Sequence, residues 1–485
     1  MKLNRRNSIL FYVFLVIFVC PTGIVISQQL GNKPNILWII IEDLSPDLGC
    51  YGNNLVKTPN IDGLADQGLR LSNVFATGVA CSPSRTAFVT GFYQNYLGAH
   101  HMRYPDELKP ALPDSIDPIH IHLKEFGYQT ANIKSFPGNG KTDWLFKYNT
   151  DSYDFEKWEE LDSDQPFFAR INLRLTHRPF EQDEEYPVNP DEVIVPPYYP
   201  DHVVARKDFA NYYESIQVMD RQIGKIVEDL KESGLDRNTL IFFFSDHGRP
   251  MTRAKNYLYD SGIQVPLIIS TLDDNLRLKL GLQGQNESLF SLIDVTATTL
   301  GLAGAGSVRT QGISILDEPE GREFVWAAAD RIGEIHFKSR MIRNEKYKYI
   351  RNYHHDFSVN STSTAHRKGR HPIYHLLNIM NEKGQLNPDQ KKLVEPMVAE
   401  ELYDVSSDPF ELHNLARDPD FSIALDRMLR TLNHFTKEIK DRGMERDSDE
   451  IVQVFKKYGE DSNMRNEARI LELKRKVFQL VEDDK

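Results

Sequence analysis

Three short stretches of the chain hold residue types that can do chemistry together. The apolar run NILWIII, Asn35 to Ile41, ends abruptly in Glu42-Asp43, and a second run, TLIFFF, ends in Ser245-Asp246-His247-Gly248. Between them in sequence lies Cys81-Ser-Pro-Ser-Arg85, opening the segment CSPSRTAFVTGF. Carboxylates from two strand ends repel each other unless a cation binds between them. Oxygen ligands of this kind suit a hard ion, calcium or magnesium; the plainer reading is that these acids cap helices or are solvated. Pro83 sits early in the expected helix, so Cys81 falls at a helix N-terminus, where free N–H groups and the dipole favour anions. Arg85, four residues on, can point back to the same spot. A helix start, an arginine and a cation together make a site for a tetrahedral oxyanion. Sulfur is a soft ligand beside a hard ion, so the two halves agree only if position 81 ends as an oxygen group. The alternative is a disulfide between Cys50 and Cys81 in an oxidising compartment.

The elements that must position these residues read as follows. Both apolar runs are continuous rather than alternating, as in strands buried on both faces of a parallel sheet. VPLIIS, Val265 to Ser270, reads as a third such strand, and FFARINLRLTH, Phe167 to His177, alternates more and ends in a histidine. A short helix has Thr58 as N-cap, Pro59 at its first position, Ile61, Leu64 and Ala65 as its apolar stripe and Gly68 as its stop. Ile216, Met219, Ile223, Ile226, Val227 and Leu230 recur at helical spacing before the second apolar run. Helix, turn, apolar strand is the α/β order, and in open parallel sheets sites lie beyond the carboxyl ends of the strands. Glu42, Asp43, Asp246 and His247 are therefore expected to converge although far apart in sequence. After residue 320 the pattern changes: SRMIRNEKYKYIRNY predicts two short strands joined by a polar turn. EELYDVSSDPFELHNLARDP predicts a strand and turn leading into a helix over 421–442, and the final segment is charged with helical spacing. This is a smaller α+β region with an antiparallel sheet.

A chain of 485 residues accommodates one large α/β domain and a smaller one. Its 40% hydrophobic and 26% charged residues are ordinary for a globular protein. The formal charge of −12 argues against general nucleic-acid binding, and an anionic substrate needs a locally positive pocket. At the N-terminus, Lys2, Arg5 and Arg6 precede ILFYVFLVIFV, which Pro21 and Gly23 break before a small-residue site at VIS. The run is shorter than the roughly 20 apolar residues of a membrane span. Residues 1–27 are read as a cleaved signal peptide, with an uncleaved anchor as the alternative. No stable membrane insertion is expected, and the mature chain is expected to be periplasmic or secreted. Val19 is too bulky for Cys20 to read as a lipidation site.

Cys81-x-Pro-x-Arg85 followed by TAFVTG resembles the signature of the type I sulfatases. NILWIIIEDLSPD resembles that family's metal-binding strand, TPNIDGLADQGLRLSNVFA the helix after it, and TLIFFFSDHG the second metal-binding strand. KNYLYDSG, Lys255 to Gly262, resembles the family's Lys-x-x-x-Tyr-Glu-Gly-Gly, and ELYDVSSDPFELHNLA its C-terminal signature. VIVPPYYPDHVVARKDFANYYESIQVMDRQIG is similar to the N-sulfoglucosamine sulfohydrolase branch and its bacterial relatives. The resemblance implies an alkaline-phosphatase-like mixed sheet flanked by helices in a catalytic domain over 28–325. A smaller α+β subdomain with a helical tail follows over 326–485.

The resemblance further implies that a formylglycine-generating or equivalent enzyme oxidises Cys81 to formylglycine. The hydrate then supplies an oxygen nucleophile and a metal ligand, with Glu42, Asp43, Asp246 and His247 completing the set around Ca2+, or Mg2+. Two positions depart from the family, which has aspartate in place of Glu42 and asparagine in place of His247. Lys141 in GKTDW resembles the sulfate-binding lysine, His177 the histidine that serves as acid or sulfate contact, and Lys255 the second lysine. One hydroxyl attacks sulfur, Arg85 and the metal neutralise the sulfate oxygens, an acid protonates the leaving atom, and the second hydroxyl expels sulfate. The implied substrate is a sulfated oligosaccharide from algal polysaccharide or glycosaminoglycan. Competing readings are N-sulfoglucosamine hydrolysis, a phosphoesterase of the same superfamily, and a non-catalytic glycan binder holding a Cys50–Cys81 disulfide. His100, His101 and Arg103 follow the catalytic helix closely and can line the pocket or stand in a solvated loop. HRKGRH, His366 to His371, is a basic knot that can touch an anionic sugar or be an exposed loop.

Overall fold

The computed structural model describes residues 32–149 and 152–483. The expected targeting segment, with Cys20, lies outside them. Among the described residues no helix is long and apolar enough to cross a membrane.

The large sheet contains β1 (Asn35–Ile41), β2 (Gly68–Phe75), β3 (Gln129–Ile133), β4 (Phe167–Leu173), β5 (Thr239–Ser245), β6 (Gln264–Thr271) and β7 (Gly284–Ser291), in the order β3-β4-β1-β5-β6-β2-β7. β3, β4, β1 and β5 run parallel, whereas β6 is antiparallel to both its neighbours, β5 and β2. β1 feeds both faces. Leu37, Ile39 and Ile41 enter one apolar cluster, and Ile36, Trp38 and Ile40 enter the other. β4 departs from the alternation expected of it, because every position is buried. Its polar residues find partners inside the fold: Arg170 donates to the Lys141 carbonyl at 2.7 Å and Asn172 to Glu42 Oε1 at 2.9 Å, although Arg170 Nε and Asn172 Oδ1 are left without one.

The short helix α1 (Pro59–Asp66) has the predicted extent, but Thr58 makes no side-chain cap. Its hydroxyl instead accepts from the Gly49 N–H and donates to Asp62. α2 (Cys81–Thr90) begins on the cysteine itself and is buried along its whole length. The amphipathic segment is α3 (Val203–Glu232), and α4 (Asp294–Leu302) packs behind the sheet. Phe88 of α2 meets Trp38 of β1 and Phe244 of β5 edge-on, with ring centroids 6.2 and 5.3 Å apart. Trp38 also meets Phe168 of β4 edge-on and donates its indole N–H to Thr299 of α4 at 3.1 Å. Edge-to-face aromatic packing of this kind is directional, so the cluster fixes α2 against the two central strands.

The second sheet is antiparallel: β8 (Val325–Ala329), β9 (Ser339–Arg343), β10 (Tyr347–Asn352) and β11 (Glu400–Asp404), in the order β11-β10-β9-β8. The predicted hairpin is β9–β10, and β11 is the predicted strand before the turn. The Ala328 N–H donates to the Thr77 carbonyl at 2.9 Å, joining this sheet to the segment just before Cys81. Three later helices are α5 (Pro372–Glu382), α6 (Ser422–Glu438) and α7 (Asp449–Asp483), the last being the charged tail.

Trp38→Ala removes the residue shared by β1, α2 and α4. We expect a loss of about 3–5 kcal/mol, measured as a lower urea midpoint with an unchanged slope.

Candidate active site

The strand register sets the level of the site. Ile41 pairs with Leu173 on one side and with Ser245 on the other, so the residues following β1, β4 and β5 leave the sheet together. The Glu42 N–H continues the ladder to the Leu173 carbonyl at 3.0 Å, and the Asp246 N–H to the Ile41 carbonyl at 3.0 Å. Asp43 then turns through a left-handed conformation, φ 56°, which aspartate tolerates better than most residues. Its N–H donates to Asp246 Oδ1 at 3.0 Å. Because β6 is antiparallel, its beginning lies at this same edge and brings the segment Lys255–Gly262 with it. Gly262 is there because a Cβ would lie 2.1 Å from the Ala254 carbonyl oxygen.

Cys81 Sγ lies 3.3 Å from His247 Nε2, 3.3 Å from Lys255 Nζ and 3.7 Å from Asp43 Oδ1. Asp43, Cys81, Asp246 and His247 present ligand-type atoms all within 4.8 Å of one another. Glu42, expected in this set, stands beside it: its carboxylate accepts from Lys141 Nζ at 2.8 Å and from Asn172 at 2.9 Å. Cys50 and Cys81 are both free thiols, so the Cys50–Cys81 disulfide is not formed. Arg85 donates from Nε to Asp246 Oδ2 at 2.9 Å, while its buried Nη2 has no hydrogen-bond partner. Glu42 Oε1 lies 3.9 Å from that atom. An unpaired guanidinium nitrogen beside a helix N-terminus is suited to an anion oxygen.

Burial raises the pKa of Asp43 and Asp246, but Lys255, His177 and His247 hold Asp43 well below the carboxylate range, and His247 and Arg85 hold Asp246 below it. Burial disfavours charge on His247, yet Asp246 and Asp43 outweigh it and push its pKa up to about 10. Lys255, bonded to both Asp43 oxygens at 2.7 and 2.8 Å, is likewise raised despite burial, chiefly by Asp43. The two buried acids thus draw positive charge from every available source. Asp43 and Asp246 oxygens fit a divalent cation, and the His247 nitrogen can join them once the ion displaces its proton. The Cys81 sulfur is the one donor that does not suit a hard ion, and an oxygen at position 81 does.

The remaining candidates divide. Lys141 and Lys255 both reach the site. His177 lies beyond the end of β4 in a turn, with Nδ1 2.8 Å from the Arg178 carbonyl oxygen. Asp43 favours its charged form, but burial and Lys255 prevail and lower its pKa. Arg103 stands at the rim, 3.4 Å from Ser82 Oγ and paired with Asp143 at 2.6 Å. His100 and His101 meet each other edge-on, with ring centroids 4.3 Å apart. Both are buried, and His101 pairs with Asp447 at 2.8 Å and faces Phe455 of α7. The sequence reading missed three residues. Asn172 orients Glu42. Ser84 donates to the Asp246 carbonyl at 2.5 Å, and Arg367 donates to the Lys255 carbonyl at 2.8 Å. Ser84 lies inside the Cys81–Arg85 motif and Arg367 inside the basic knot HRKGRH, whereas Asn172 sits mid-strand with no local signal.

The family model described as Sulfatase matches residues 34–305. An ulvan-active sulfatase of Formosa agariphila is 30% identical over 467 residues, covering 85% of this chain and 76% of that protein. The human N-sulphoglucosamine sulphohydrolase is 25% identical, covering 85% of this chain and 91% of that protein. Among solved structures, a phosphonate monoester hydrolase of Agrobacterium radiobacter shares the fold, with a TM-score of 0.60, 17% identity, and coverage of 85% of this chain and 97% of that one. With that domain match laid over Glu42, Asp43, Cys81, Arg85, Asp246 and Lys255, the chain belongs to the sulfatase family.

Proposed function

We propose that this protein is an extracytoplasmic sulfatase that removes sulfate from oligosaccharide fragments of a sulfated polysaccharide. It uses formylglycine made from Cys81 by a maturation enzyme, and a divalent cation, calcium in first place. The observation that carries the reading is the setting of Cys81. A thiol at the start of α2 touches two cations and a carboxylate, and Arg85 Nη2 beside it is left without a partner. The named relatives act on ulvan and on N-sulphoglucosamine, which supports a sulfated sugar polymer as the source of substrate. We place the catalytic domain at 28–325 and the α+β subdomain at 326–485, after a cleaved signal over 1–27.

When present, the cation held by Asp43, Asp246 and His247 neutralises sulfate charge, and the oxidised residue 81 supplies an oxygen nucleophile. The chain's own side chains do the rest. Arg85 Nη2 binds a sulfate oxygen, its other nitrogens fixed by Asp246 and the Lys141 carbonyl. Lys141 and Lys255 supply the local positive charge that a chain of net charge −12 needs to admit an anion. The Nδ1–H of His177 is tied to the Arg178 carbonyl, leaving Nε2 to exchange a proton with the leaving oxygen or nitrogen. A bound sulfate ester adds negative charge next to this ring and raises its proton affinity, so substrate loads the acid. Burial of Cys81, Asp43, Asp246 and His247 keeps water out and strengthens each of these interactions.

Protein matured in a host with a formylglycine-generating enzyme is expected to carry an aldehyde at position 81 in the tryptic peptide Leu71–Arg85, read by mass spectrometry. It is expected to hydrolyse an aryl sulfate faster than the matching aryl phosphate or phosphonate. An active protein with an intact thiol, or one that prefers phosphorus, contradicts the proposal. Arg85→Lys loses the unpaired nitrogen and is expected to lower kcat by about 10²–10³. His177→Ala is expected to lower kcat/KM by about 10²–10⁴ and to flatten the limb of the pH profile that reports the acid.

A further inference from the structure

The basic knot HRKGRH is built into the wall of the site. Arg367, buried, donates from Nη1 to the Lys255 carbonyl at 2.8 Å and from Nη2 to the Met251 carbonyl at 2.9 Å. The Arg370 carbonyl accepts from Arg178 Nη1 at 3.2 Å, and Arg178 directly follows His177. The knot is therefore stitched to the segments that carry two of the site residues.

Among the described residues Arg370 finds no carboxylate. Arg370 Nη1 bonds to the His366 carbonyl at 3.2 Å, to His366 Nδ1 at 3.1 Å and to Asn466 Oδ1 of α7 at 3.2 Å, all uncharged acceptors. Apart from burial, what lowers the Arg370 pKa is the neighbouring Arg469 guanidinium, three residues along α7 from Asn466. Arg469 covers the knot from the tail: a Cβ added at Gly369 would lie 3.3 Å from its Cδ. One acid that feels Arg469, Glu472, is already paired with Lys476 at 2.7 Å. Burial and the charges of Arg370, His177 and Lys255 lower His366 to about 4, so its ring is neutral and presents Nε2–H. Arg370 and Arg469 line a cleft of about 1090 Å³, large enough for a disaccharide, and His366 stands behind it, bonded to Arg370. In the cleft wall Arg178 pairs with Asp208 and Arg221 with Asp183, and Glu181, Glu184 and Glu185 stand solvent-exposed along the same lining.

We infer that His366, Arg370 and Arg469 form a second anion subsite, which binds a carboxylate or a further sulfate on the sugar next to the one that loses its sulfate. This rests on the sulfatase reading and names its substrate class as oligosaccharides with at least two anionic groups. Two guanidiniums held side by side without a carboxylate repel each other in the free protein, and an anion between them relieves that repulsion. The charged tail helix α7 thereby acquires a role, since it supplies Arg469 and holds Arg370 through Asn466.

The test uses matured full-length protein and three disaccharides that share one sulfate. The first adds a uronate carboxylate, the second has that carboxyl reduced to an alcohol, and the third is reduced but carries a second sulfate. The wild-type protein is expected to prefer the first or third over the second by at least about tenfold in kcat/KM, through KM, and the preferred one identifies the anion. Arg469→Ala and Arg370→Ala are expected to reduce that preference by about tenfold, and Arg469→Lys to retain most of it. Arg469 is exposed, so its replacement does not threaten folding. A wild-type protein without preference, or a preference unchanged in both alanine variants, overturns the subsite. Failure to cleave aryl sulfate at all overturns the sulfatase reading instead. Calorimetry with the same disaccharides then decides the subsite separately, by whether binding of the two-anion probe weakens in Arg469→Ala.

Discussion

Two carboxylates, Asp43 and Asp246, stand essentially without solvent at the ends of adjacent strands, and their charge must be compensated. In water their repulsion would be weak. In the buried site it is large, and removing them from solvent adds a penalty of its own. The surrounding structure answers that constraint. Lys255 binds both oxygens of Asp43, Arg85 binds Asp246, and His247 is charged although it is fully buried. A cation at the same place satisfies the acids with one ion. Lys255 and Arg85 then have charge to spare for an anion at Cys81. Cation site and oxyanion site are one arrangement of charge seen from two sides.

Sheet topology delivers these groups. Parallel β1, β4 and β5 put Asp43, His177 and Asp246 at one edge, and the reversed β6 returns the chain there with Lys255. The edge-on cluster of Trp38, Phe88 and Phe244 then sets the start of α2 over the strand ends, so the position of Cys81 follows from the packing of whole elements rather than from any single bond. The second sheet reinforces the same point through Ala328 and Thr77, one turn of chain before the cysteine.

Much of this was legible in the sequence, for physical reasons that also explain the gaps. β1 and β5 were readable because both faces are buried, which forces continuous apolar runs. β4 was misread in part because Arg170 and Asn172 look like solvent-facing positions, although internal carbonyl and carboxylate partners bury them. A strand pattern carries no direction, so the reversal of β6 could not be read from VPLIIS. Asp43, Asp246, His247 and Cys81 converge as their strand-end and helix-start positions imply. Glu42 lies one residue from Asp43 but points to Lys141 and Asn172, partners that only the fold brings near. His101 finds its partners, Asp447 and Phe455, in the distant tail, which no local pattern around it announces.

Calorimetric titration of calcium into matured protein, after dialysis against chelator, tests the compensation of Asp43 and Asp246 most directly. The account predicts one ion bound per chain and loss of that binding in Asp246→Asn. An unmutated protein that binds no divalent cation, or an Asp246→Asn variant that binds it as well as the unmutated protein does, would contradict it.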